Sequence, residues 1–279
     1  MPPRTCRALL LAGIASVTPL SASQPVGPLD LQEVLFRASR YVVAYQHELD
    51  GVAADEAYEQ RTLNTSGEVT DTRTLTSSSV FVLVPTDGIW RSFRQVLSVD
   101  GEAVRRRGPT LVDLLTDPPS DAQEEVERLD QDGAEHHLGE VDRRLQLPLL
   151  PLMFLDPLYR HRFNFEKVGE EQVDGRTLWQ VRFVEQVRPT LIQSSSGNSY
   201  AQGSLWIDTE TGRVVRSELT MADVGTSVTA TFQADPELGA WVPASVEESY
   251  QVRDGTVEGV LRYSNFERLP VSVTFDSPR

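Results

Sequence analysis

The side chains best placed by type and spacing to do polar chemistry in this 279-residue chain fall between Arg105 and Asp142 and between Ser194 and Ser199. Glu135-His136-His137 with Glu140 offers imidazole and carboxylate donors, and His136 and Glu140 stand one helical turn apart. Those are donors for a divalent metal. The set lacks cysteine and a His-x-x-x-His spacing, and Gly133 and Gly139 weaken the helix that would align it. We therefore expect no metal. Ser194-Ser195-Ser196-Gly197-Asn198-Ser199 supplies hydroxyls but no Gly-x-Ser-x-Gly elbow, and reads as a polar hairpin loop. Glycine-rich phosphate-binding patterns are absent from the sequence. Arg105-Arg106-Arg107 is a lone basic run that balances the segment after it, where Asp113 to Asp142 holds eleven acidic residues and one basic one, Arg128. No catalytic residue and no cofactor follows from these motifs. The many carboxylates keep open a hydrolase with a dispersed acid–base site as a minor reading.

Apolar chemistry is concentrated elsewhere. Leu145 to Tyr159 is the one long apolar stretch that breaks the strand pattern, and Pro148, Pro151 and Pro157 cut it into short pieces. Leu149, Leu150, Leu152, Met153 and Phe154, with Tyr159, Phe163 and Trp179, are the candidate ligand-binding residues. Two readings are open. They plug a core, or they form an adaptable lid over a sheet cavity suited to a lipid or lipopeptide.

The elements that must position them are mostly strands. Gly203 to Leu219 reads strand, tight turn, strand, with Leu205 and Ile207 on one face, then Asp208 to Gly212 as the turn, then Val215, Leu219 and Met221. Ala54, Glu56, Tyr58 and Gln60 alternate with charged positions. Val80 to Val84 is a continuous apolar run, as for a strand covered on both faces, and Trp90 to Val99 is its partner across Thr86-Asp87-Gly88. Asp-Gly pairs at 87, 174 and 254 separate strand-like runs and signal hairpins. Before the strands, Leu31, Val34, Leu35, Ala38, Tyr41, Val42, Tyr45 and Leu49 make one helical face, with Asp30 as cap, Glu33 three residues on and Gly51 at the end. Residues 109–159 lack alternation and read as a helical insertion.

The N-terminus carries Arg4 and Arg7, ten apolar residues from Ala8 to Val17, and small residues Ser21-Ala22-Ser23. That is the pattern of a secretory signal peptide over residues 1–23, with residues 24–279 as a single domain. Cys6 is the one cysteine, so the exported chain would have no disulfide. The balance of 26 basic and 41 acidic residues, −15, opposes a phosphate backbone and excludes nucleic acid as a natural partner. After the leader no run reaches the ~18 apolar residues of a membrane span.

With Asp30 to Leu49, the strands about Thr86-Asp87-Gly88, the Leu145 to Tyr159 insertion and the meander from Phe163 in view, the layout resembles periplasmic lipoprotein carriers of the LolA and LolB type and the related lipoprotein-sensing regulators. Trp206-Ile207-Asp208 followed by Thr211-Gly212-Arg213 is similar to strands in such proteins. The resemblance implies an α+β fold: a large, curved antiparallel sheet forming an incomplete barrel, an N-terminal amphipathic helix, and mid-chain helices covering the concave face. It implies a periplasmic or secreted protein that is not an enzyme, with a lipid, acyl chain or lipoprotein between sheet and lid. The alternative is an interaction or regulatory module with a filled core. On the leader reading, sequencing of the exported protein finds a new N-terminus near Gln24. Full-length protein in the cytoplasm with Met1 or Pro2 intact overturns it.

Overall fold

The computed structural model describes residues 29–84, 89–105, 108–139, 141, 143, 148–194 and 197–271. The leader at 1–23, the Thr86-Asp87-Gly88 turn, Arg106 and Arg107, Glu140, residues 145–147, and Ser195 and Ser196 lie outside the described residues.

Helix α1 (Leu31–Leu49) starts where expected: the Asp30 carboxylate accepts from the Glu33 N–H at 2.8 Å. Its apolar face buries Val34, Leu35, Ala38, Val42, Tyr45 and Leu49. Gly51, at φ 71°, then turns the chain into the sheet. The strands are β1 (Val52–Asn64), β2 (Val69–Val84), β3 (Ile89–Val99) and the short β4 (Glu102–Ala103). Three helices follow, α2 (Leu111–Thr116), α3 (Ala122–Ala134) and α4 (Leu150–Met153). Then come β5 (Phe163–Val173), β6 (Arg176–Glu185), β7 (Ile192–Ser194), β8 (Gly197–Ser199), β9 (Gln202–Asp208), β10 (Val214–Met221), β11 (Thr226–Asp235), β12 (Ala240–Val252) and β13 (Gly255–Arg268).

Eleven strands form one open antiparallel sheet in the order β4-β3-β2-β1-β13-β12-β11-β10-β9-β6-β5, and β7 and β8 pair separately. The N-terminal meander is joined to the C-terminal one by the β1–β13 ladder, which runs from Val52 opposite Arg268 to Asn64 opposite Gly255. An open sheet of this width curls, since beyond about ten strands twist accumulates. Register shifts at Ala53/Asp55, Thr76/Ser77 and Thr231/Phe232 add local bends.

The two faces of the sheet are covered differently. On the inner face, α1 and α4 pack with Val52, Tyr58, Phe81, Trp90, Val181 and Phe183 into the main core. On the other face, Val80, Val82 and Phe93 meet Leu111, Leu114 and Leu115 of α2 and Val126 and Leu129 of α3. The Val80 to Val84 run is thus apolar because alternate residues enter different cores, Val80 and Val82 one and Phe81 and Leu83 the other. The mid-chain helices divide: α4 lies on the face that α1 covers, while α2 and α3 cover the opposite one.

The Gly203 to Leu219 hairpin forms as β9 and β10, with one difference. A register shift between Val214 and Arg216 carries Val214 into the core and leaves Val215 half-buried. The Asp174-Gly175 hairpin has positive φ at both residues, 50° and 75°, as does Asp100-Gly101 at 50° and 83°. At the β12–β13 hairpin the connecting pair is Arg253-Asp254, and Gly255 opens β13.

The tip of the β9–β10 hairpin docks on α1. Arg37 donates to the Thr209 carbonyl at 2.7 Å. Gly212, at φ 77°, lies so close that a Cβ there would stand 2.4 Å from the Arg37 carbonyl carbon. Gly212→Ala should therefore cost more than the ~1–2 kcal/mol of left-handed strain alone. Gly175→Ala is the control, because it has similar φ and nothing within 4 Å of the added methyl. Urea denaturation of the pair checks this, and equal losses would show that the hairpin–helix contact yields.

Candidate functional site

Two features on the inner side of the sheet have the geometry of a site: a polar cluster bridging β1, β13 and β12, and an open cleft beside it.

The cluster grows from strand parity. Glu56, Tyr58 and Gln60 alternate inward along β1 and are almost wholly buried. Tyr58 donates to the Glu248 carboxylate, and Tyr250 donates to its other oxygen at 2.8 Å. The strand between them carries Gly259, where a Cβ would lie 2.5 Å from the Tyr58 ring and 2.7 Å from Glu248 Oε1. Only a residue without a side chain lets that bond cross β13. Arg143 donates to the Tyr58 oxygen at 3.1 Å and to the Leu138 carbonyl at 2.5 Å, and stands 3.6 Å from Glu248. The Leu138 N–H donates to Gln60 Oε1 at 2.9 Å, and Arg73 donates to the His136 carbonyl at 2.9 Å. Residues 136–138 are thus held down by side chains from the sheet. A second buried pair lies beyond, with Arg94 gripping Glu56 through contacts of 2.6 and 2.8 Å.

Burial sets the proton chemistry of this cluster. It pushes the Tyr58 and Tyr250 hydroxyls far up, reinforced by the Glu248 charge, so both stay protonated donors. His137, edge-on to Tyr58 with centroids 5.3 Å apart, is lowered to about 3 by burial and then by Arg94 and Arg143. It is a neutral imidazole over the physiological range. Both Glu248 oxygens are taken by these phenol donors.

The cleft is open. It measures about 1220 Å³ and lies at the end of the sheet where the β1–β2 and β12–β13 hairpins turn. Its apolar lining includes Leu150, Leu191, Ile192, Met221, Val224 and Val257, and Tyr250 joins it to the polar cluster. Gly139 and Val141 form one wall. Of the serine-rich segment, Ser194 ends β7 and Gly197 to Ser199 form β8, where the Ser199 hydroxyl donates to Asp223 at 2.8 Å.

The eight apolar residues singled out from the sequence are brought together, mostly away from the cleft. Leu149, Leu152, Met153, Phe154, Phe163 and Trp179 are in the main core, and Tyr159 packs against it. Phe154 stacks on Phe163 at 4.4 Å and meets Phe183 edge-on at 5.2 Å. Leu150 alone of the eight lines the cleft. Glu248, Arg143 and Gly259 were not identified from sequence. Glu56 and Gln60 were on the correct face, and their inward parity was the available signal. Among the described residues no three His, Cys, Asp or Glu converge as metal ligands, and no helix is long and apolar enough to cross a membrane.

The fold is an open α+β half-barrel with a cleft at one end. No family model and no curated protein matches the chain. Solved structures do. The chain is similar to a DUF1329 family protein from Desulfovibrio piger, at 14% identity over 85% of this chain and 94% of that one, with a TM-score of 0.38. It is similar to a LolA superfamily protein from Nitrosomonas europaea, at 12% identity, 86% and 94% coverage and a TM-score of 0.33. It is also similar to the Mycobacterium tuberculosis lipoprotein LppX, at 12% identity, 87% and 100% coverage and a TM-score of 0.27. At these scores the likeness is one of layout, and no residue role passes through it.

Two outcomes follow. Phe154 is fully buried against two aromatic rings, so Phe154→Ala should cost about 3–5 kcal/mol in denaturant unfolding. A loss under about 1 kcal/mol would mean that the site collapses around the gap. His137 takes up a proton near pH 6.5 when unfolded and only near 3 when folded. Its contribution is whole above pH 6.5 and is lost as pH falls toward 3, by up to about 5 kcal/mol at ~1.4 kcal/mol per unit. His137→Phe should flatten stability in that window, and an unchanged pH profile would place the imidazole in water.

Proposed function

We propose that the chain is an exported, non-enzymatic carrier that holds an apolar ligand, an acyl chain or the acyl part of a lipid or lipoprotein, in the cleft beside Leu150. The observation that carries this reading is the cleft itself. Its about 1220 Å³ exceeds the roughly 300–1,000 Å³ of ordinary ligand pockets, and Leu63, Val141, Leu150, Ile192, Val224 and Val257 give it an aliphatic wall. The space between α1, α4 and the sheet is closed by Leu149, Phe154 and Phe183, so the ligand would sit past the start of α4. The likeness in layout to a LolA superfamily protein and to a lipoprotein agrees with an extracytoplasmic role.

The filled core favours a second reading, a module that acts through protein contacts. One experiment separates the two. N-phenyl-1-naphthylamine, an uncharged apolar fluorophore, should brighten on binding the parent protein. Val224→Trp, which fills the cleft from a half-buried position, should weaken binding at least about tenfold, or 1.4 kcal/mol, with little change in Tm. Phe154→Ala should leave binding by the folded fraction intact. A parent protein that does not bind the dye supports the interaction module.

A further inference from the structure

The polar part of the same cleft narrows the ligand. This inference rests on the carrier reading and adds the nature of the head group. Apolar lining residues Met221 and Val257 are buried, and so is Tyr250, whose hydroxyl is committed to Glu248. The uncharged polar lining is Thr62, Thr70, Thr226 and Thr256, which carry hydroxyls, and Gln193 and Gln251, which carry amides. Thr62, Thr70, Gln251 and Thr256 stand beside the β1–β2 and β12–β13 turns that form the mouth. Among the described lining residues only Arg253 and Asp254 are charged, and they are adjacent and opposite in sign. Arg143 lies with its guanidinium 5.8 Å from the Tyr250 ring centroid and is paired with Glu248.

We infer that the cleft takes an uncharged amphiphile: one acyl chain along the aliphatic wall and a hydroxyl- or amide-bearing head at the mouth. Hydroxyls and amides both donate and accept, so they replace the water around a polyol or amide head. A carboxylate or phosphate needs a cation or several convergent donors to offset lost hydration. Among the described residues the mouth presents one arginine with a carboxylate beside it. The chain's net charge of −15 repels an approaching anion as well.

The test is displacement of N-phenyl-1-naphthylamine from the parent protein by three single-chain amphiphiles, each below its micelle concentration. They are monooleoylglycerol, oleate and oleoyl lysophosphatidylglycerol. Monooleoylglycerol should displace the dye at a concentration at least about tenfold lower than either anion. Gln251→Arg, which adds a cation at an exposed mouth position, should narrow that gap. Equal or better displacement by the anions overturns the inference, and its loss in Arg253→Gln would identify Arg253 as their receptor. Dye binding with no displacement by monooleoylglycerol also overturns it. Failure of the dye to bind at all rejects the carrier reading, which keeps the two failures distinct.

Discussion

Everything on the inner side of this sheet is organised by the contact that Tyr58 makes with Glu248 over Gly259. Removing a carboxylate from water is expensive, and here the cost is offset by two phenol donors and a guanidinium. The three strands involved are the two that join the meanders and their neighbour. A bulkier residue at Gly259 would force Tyr58 and Glu248 apart and leave the acid buried with fewer donors. Arg143 then ties the segment before α4 to this centre, so the polar cluster fixes where the mid-chain insertion returns to the sheet.

That return decides how interior space is divided. Beyond Arg143 the chain enters α4 and delivers Leu152, Met153 and Phe154 to a space that Phe163 and Phe183 already border, and the region fills. On the near side, Gly139 packs closely on Val257 and, with Val141, walls the cleft. The sheet edges are treated unequally as well. β3 is capped by the two-residue β4, whereas β5 is a long exposed edge. Its register shift at Lys167/Gly169 and the Lys167 ammonium over Trp179, 3.7 Å from the ring centroid, blunt it against pairing with another chain.

The sequence made the fold legible where short-range rules apply. The α1 face, the Asp30 cap, the doubly covered β2 run and the Asp174-Gly175 hairpin follow from periodicity and turn chemistry, and all are present. The bulge that moved Val214 inward was not legible, because it depends on pairing with β9. The cleft was hardly legible at all. Its wall draws on residues from Thr62 to Val257, each unremarkable in its own segment and joined only by curvature. Leu149 to Phe154 drew attention through density of apolar residues, which marks a core as readily as a pocket. Glu56 and Gln60 showed their face by parity, but their partners Arg94 and Leu138 were 38 and 78 residues away.

The β1–β13 ladder has a consequence for how the chain reaches this state. Its partners are separated by nearly the whole folded length, so each meander can form its local hairpins while the junction waits on the last strand. Closing so long a loop carries an entropic penalty that local hairpins do not meet. Until Gly255–Arg268 is in place, β1 and β12 each present a bare edge, and Glu248 lacks its donor from β1. High contact order therefore makes the final strand the kinetic keystone, and a chain ending before it would be a template for intermolecular strand exchange.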